Sequence, residues 1–136
     1  MFGQSNTIYE KQIVELLNQI ALPEEILVKS GFAYVYPSLL LQLLVGSLSA
    51  FMFKSYVIIL TNQRILMVNV SAFGKFQDYI PFITSQLKLC KYSKGFLNAG
   101  LELQFPDKRT MHFTFNKIKG NADVAFQIAE VLKTNV

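Results

Sequence analysis

Between Tyr56 and Val70 the chain reads Tyr-Val-Ile-Ile-Leu-Thr-Asn-Gln-Arg-Ile-Leu-Met-Val-Asn-Val. Two apolar, β-branched runs flank the polar tetrad Thr61-Asn62-Gln63-Arg64. Strand formers on either side of turn-forming Thr and Asn make a β-hairpin signal. Asn62 suits the turn because its side chain can bond the local backbone and it tolerates positive φ. Both runs are too continuous for strands with one wet face, so both belong in the middle of a sheet. The rest of the chain must supply strands beside this hairpin and helices to cover them.

Candidate elements follow in order. Thr7-Ile8-Tyr9-Glu10 has the capping-box form, and Ile13, Leu16, Leu17 and Ile20 repeat as one helical stripe up to Pro23, which predicts an amphipathic helix over about Thr7 to Ala21. Glu24 to Val35 reads as a first strand with Ile26 and Val28 in β-favouring positions and Gly31 as a bulge or bend. After the hairpin, Ser71 to Lys75 is a loop and Asp78 to Pro81 a short edge element, since proline cannot donate to a ladder. Ile83 to Tyr92 is a strand with Leu87 and Leu89 inward and Lys88 outward. A glycine-punctuated turn spans Gly95 to Gly100, and Leu101 to Phe105 and Met111 to Phe115 alternate cleanly, with His112 on the polar phase. Asn121 and its neighbours can cap a last helix whose buried face is Val124, Ala125, Ile128, Val131 and Leu132. The order is helix, strand, apolar insertion, about five strands, helix, with one domain expected over residues 1–136.

The insertion is the most unusual stretch. No charged residue occurs from Ser30 to Phe53, with Lys29 before it and Lys54 after. Pro37 marks a helix start, and the sixteen residues from Ser38 to Phe53 would reach only about 24 Å, short of a roughly 30 Å bilayer core. A span would also part the first strand from its sheet. The expectation is an inserted apolar helix over 36–53. Leu40, Leu43, Leu44, Leu48 and Phe51 form its contact surface, and Gly46 permits close approach.

The net charge is +4, and Lys75 to Lys119 alone holds eight basic and three acidic residues. That excess suits an anionic partner, with Lys54, Lys91 and Lys94 as candidate anion contacts. The single Cys90 permits no internal disulfide, which fits a cytoplasmic setting, at the inner face of the cell membrane if the insertion meets lipid. The N-terminus has no basic region followed by an apolar core, so no signal peptide is expected. One His and one Cys fall short of the usual zinc sets, and no phosphate-cradling glycine loop occurs, so no metal and no cofactor is expected. The carboxylates of Glu24 and Glu25 point oppositely on a strand and are unsuited to joint acid–base work. Arg64 is best explained by nearby carbonyls or an acidic neighbour. Lys91-Tyr92-Ser93-Lys94 mixes basic and aromatic residues, but no nucleic-acid partner is expected.

The Thr61-Asn62-Gln63-Arg64 turn between apolar strands resembles the bacterial pleckstrin-homology-like (PH-like) families. So do the Ile80-Pro81 step, the turn from Gly95 to Gly100, and the helix from Asn121 to Thr134. The resemblance covers roughly Glu24 to the C-terminus. It implies an α+β fold: a curved antiparallel sheet or barrel, here with an N-terminal helix, the apolar helix inserted after the first strand, and a C-terminal helix plugging one open end. The insertion departs from the simplest pattern, and no Lys-x-x-x-Arg-type cluster occurs at the first strand connection.

The functional expectation is a non-enzymatic association module. It would bind a partner chain, a second copy first of all, or a membrane surface through the apolar helix. The alternative is a small barrel that binds a hydrophobic ligand, with the helix as a lid over Leu103, Phe113 and Phe115.

Overall fold

The computed structural model describes residues 9–35, 54–117 and 121–133. The inserted helix expected over 36–53, and the capping box at Thr7, lie outside the described residues. The elements are α1 (Glu10–Ile20), β1 (Leu27–Val35), β2 (Lys54–Thr61), β3 (Arg64–Val70), β4 (Phe76–Ile83), a 3-10 turn (Thr84–Gln86), β5 (Lys88–Lys94), β6 (Asn98–Gln104), β7 (Thr110–Asn116) and α2 (Asp123–Leu132). Among the described residues the seven strands form one antiparallel sheet in the order β4-β3-β2-β1-β7-β6-β5. The expected hairpin is the β2–β3 pair, with Leu60 opposite Ile65 just before the turn.

The continuous apolar runs of β2 and β3 follow from cover on both faces. Alternate residues of a strand face opposite sides. Val57, Ile59, Leu66, Val68 and Val70 are buried with Ile13 and Leu17 of α1. Ile58, Leu60, Ile65 and Met67 are buried on the other face, in a core shared with β5–β7 and with Val124, Ala125, Ile128, Ala129 and Leu132 of α2. Val131, expected in that stripe, is 39% exposed. At 100° per residue it lies roughly 90° from the stripe's centre.

Several local expectations need correction. β1 starts at Leu27 and not Glu24: Glu24 has φ 64°, a left-handed conformation that turns the chain before the strand. Ile26 precedes β1 and is 59% exposed, and Val28, 44% exposed, sits where the register of β1 on β2 slips between Leu27 and Lys29. The irregularity expected at Gly31 lies there, whereas Gly31 pairs regularly with Ile58. Its lack of a side chain lets α2 close on the strand: a Cβ would stand 2.5 Å from Val124 Cγ1. β4 is a full eight-residue edge strand and not a short element, and among the described residues six strands follow the insertion, where about five are expected. The strand expected from Ile83 begins at Lys88, after the 3-10 turn. Asn62 does not take positive φ; among the described non-glycine residues only Glu24 and Lys108 do.

Candidate functional site

The Thr-Asn-Gln-Arg turn gathers buried polar chemistry, and all of it fastens the N-terminal segment. The Glu25 side chain is fully buried and Arg64 is nearly so. Arg64 Nε donates to Glu25 Oε2 at 2.8 Å, and Nη2 donates to Glu25 Oε1 at 3.0 Å and to the Ile20 carbonyl at 2.8 Å. Thr61 Oγ1 donates to Glu25 Oε2 at 2.7 Å, and the Leu22 N–H donates to Oε1 at 3.0 Å. Burial alone would raise the Glu25 pKa; the hydrogen bonds from Arg64, Thr61 and Leu22 and the Arg64 charge outweigh it, and the carboxyl sits below its ordinary value. Asn62 exchanges backbone and side-chain bonds with Ile26 and donates to the Glu24 carbonyl, while Gln63 Nε2 donates to that of Pro23. Every residue of the turn therefore holds the α1–β1 connection, and the acidic neighbour expected for Arg64 is Glu25.

Asn121 performs a similar task where the two halves of the sheet meet. The register between β1 and β7 is carried by Tyr34 opposite Thr114. Alongside, the Asn121 amide accepts from the Phe32 N–H and donates to the Phe32 carbonyl, extending the seam by side chain. The cap of α2 is expected within Gly120-Asn121-Ala122-Asp123. The N-cap is Ala122, without a side-chain bond, because the asparagine is engaged by the strand.

The residues expected to associate, Leu40, Leu43, Leu44, Gly46, Leu48 and Phe51, lie outside the described residues. The candidate anion contacts lie on two strands, Lys54 on β2 and Lys91 and Lys94 on β5. Lys54 opens β2 opposite Val35. Lys91 pairs with Glu102 and Lys94 with Ala99, and a separation of three residues sends their side chains to opposite faces. Lys94 instead shares a groove of about 480 Å³ with Lys117, Tyr92, Ala122, Asp123 and Phe126, between the ends of β5–β7 and the start of α2. The Tyr92 and Phe126 rings meet there at 6.2 Å, and Asp123 is 3.8 Å from Lys29 Nζ. Cys90 and His112 are exposed, and among the described residues no three His, Cys, Asp or Glu stand together as a metal site.

Sequence reasoning passed over Phe96 and Leu97. They are the central residues of the β5–β6 turn, closed by the Gly95 N–H on the Asn98 carbonyl at 2.8 Å, and they are 93% and 70% exposed. The available signal was two large apolar residues inside a glycine-bounded turn.

An antiparallel sheet built around a Thr-Asn-x-Arg hairpin, with a C-terminal helix on one face, is the pattern of a PH-like domain. The bacterial PH domain family matches residues 39–130, and the chain belongs to that family. Among solved structures it is similar to the hSac2 domain from human phosphoinositide phosphatase Sac2: 12% identity, a TM-score of 0.52, 96% of this chain and 84% of that one covered. It is also similar to the C-terminal domain of an unknown protein from Leishmania infantum, at 13% identity and a TM-score of 0.49, covering 93% and 95% of the two chains. The likeness to the hSac2 domain is one of fold. No curated protein matches.

Proposed function

We propose that this bacterial PH domain is a non-enzymatic association module, and that the apolar stretch between β1 and β2 is its contact element. The supporting observation is the pairing of Val35 with Lys54. Val35 and Lys54 are the described residues on either side of 36–53, a stretch that holds no Asp, Glu, Lys or Arg. An uncharged segment anchored in this way offers apolar side chains to a second copy or a lipid surface without parting the sheet. The polar groups that could have served chemistry elsewhere (Glu25, Thr61, Arg64 and Asn121) are spent on holding the frame. The ligand-barrel alternative gains no support from the packing, since Leu103, Phe113 and Phe115 are buried in one core with the α2 side chains. Leu44→Glu or Leu48→Glu is expected to weaken assembly or vesicle binding while the circular dichroism of the β core is unchanged. Light scattering with and without detergent reads the assembly. A wild-type chain that is monomeric without detergent and ignores vesicles contradicts the reading.

A further inference from the structure

Tight turns are ordinarily built from Gly, Asn, Asp, Pro or Ser, each of which solves a backbone or hydrogen-bonding problem. The β5–β6 turn places Phe96 and Leu97 at its two central positions. Neither has the positive φ that would mark a strained position, and neither packs in the core. Their side chains are driven into solvent on a short, hydrogen-bonded turn. A local rule broken without structural gain marks a functional position.

The surroundings say what the tip can meet. Lys94 precedes the turn, and Lys117 lines the same groove as Lys94. The acidic residue in that groove, Asp123, has Lys29 at 3.8 Å. An exposed apolar pair that follows Lys94 by two and three residues, with Lys117 on the same groove as Lys94, complements a surface that is anionic outside and apolar just beneath. A stable protein interface takes roughly 20–30 residues a side, which a two-residue wedge does not supply. A bilayer accepts such a wedge, with lysines at the headgroups and apolar side chains at the acyl boundary.

We propose that the β5–β6 turn is a membrane-docking tip: Phe96 and Leu97 enter the interface of an anionic bilayer while Lys94 and Lys117 contact its headgroups. This rests on the association reading but uses residues apart from the stretch 36–53.

The test is co-sedimentation of the full chain with phosphatidylcholine vesicles, with and without phosphatidylglycerol. Wild type is expected to bind the phosphatidylglycerol vesicles, and less so as salt is raised. Phe96→Ser/Leu97→Ser is expected to bind at least about tenfold more weakly with an unchanged melting temperature, because both side chains are already in water. Lys94→Gln/Lys117→Gln is expected to lose about tenfold on the anionic vesicles alone. The proposal is overturned if wild type binds neither vesicle or if the tip variant binds like wild type. It is also overturned by lipid-free dimers that the tip variant abolishes, since the occupant would then be a second copy. Leu44→Glu separates the two readings. Binding lost in Leu44→Glu but intact in the tip variant keeps the association reading and removes the tip; the reverse pattern keeps the tip and removes the apolar stretch.

Discussion

Glu25 and Arg64 stand 39 positions apart in sequence and meet in a bidentate pair that also takes in the Ile20 carbonyl. Losing one partner of a buried ion pair is costly because the other charge stays behind unpaired. Arg64→Ala is therefore expected to destabilise the fold by about 3–5 kcal/mol in urea unfolding. The same pair sets a pH dependence. A glutamate whose pKa is lowered by folding contributes stability at pH above its ordinary value, and that contribution is lost as pH falls through the lowered one. Wild type should thus lose stability steeply in the acid range below the ordinary glutamate pKa. Glu25→Gln should be less stable near neutrality and flatter below it. Equal acid slopes for the two chains would remove this assignment. The basic half of the pair was legible, because an arginine in a turn demands acceptors. The acidic half was not: Glu25 looked like a polar lead-in to a strand, and only the left-handed turn at Glu24 swings its carboxylate inward.

At the scale of elements, the two outer strands of the sheet each carry a block against further pairing. Pro81 of β4 faces Leu66 without an N–H, so its backbone nitrogen belongs to the outward-facing phase of the strand. Ile83, two residues on in the same phase, has its N–H taken by Gln86 Oε1 at 3.0 Å. β5 carries the exposed lysines Lys88, Lys91 and Lys94 and a register slip between Leu89 and Lys91. Proline, lysine and bulges are the usual defences of a free edge. Pro81→Val combined with Gln86→Ala restores two donors to β4 and is expected to raise concentration-dependent association, read by light scattering, with little change in secondary structure. No change in association would show that the edge is guarded by something else. This edge chemistry was partly legible, since Ile80-Pro81 announced an edge from sequence. The slip at Cys90 was not. One extra residue resets which side chains face inward, so Leu89 and Tyr92 both turn to the core although they are three apart. Strict alternation cannot foresee that, and it also hid which lysines share a face.

Across the whole molecule, β2 and β3 are sandwiched between two helices, and α1 is tied down at both ends. Gln12 bonds the Gly74 carbonyl at 2.8 Å and the Phe76 N–H at 2.9 Å, and Arg64 holds the Ile20 carbonyl. That frame constrains how the chain can meet a membrane. No helix among the described residues is long and apolar enough to cross one. Val35 and Lys54 are register partners, so the residues that flank the stretch 36–53 lie about one strand spacing, roughly 5 Å, apart. A single crossing would put those residues about 30 Å apart, and two helical crossings need about 40 residues where eighteen are present. The expectation is that any surface the stretch meets is met from one side. Cysteines placed at Asn18 and at Gln77 in a Cys90→Ser chain flank the stretch at exposed positions. Bound to sealed vesicles, both are expected to react with an impermeant maleimide added outside. One that reacts only after the vesicles are opened would mean that the chain crosses, and that β1 and β2 do not remain paired on a membrane.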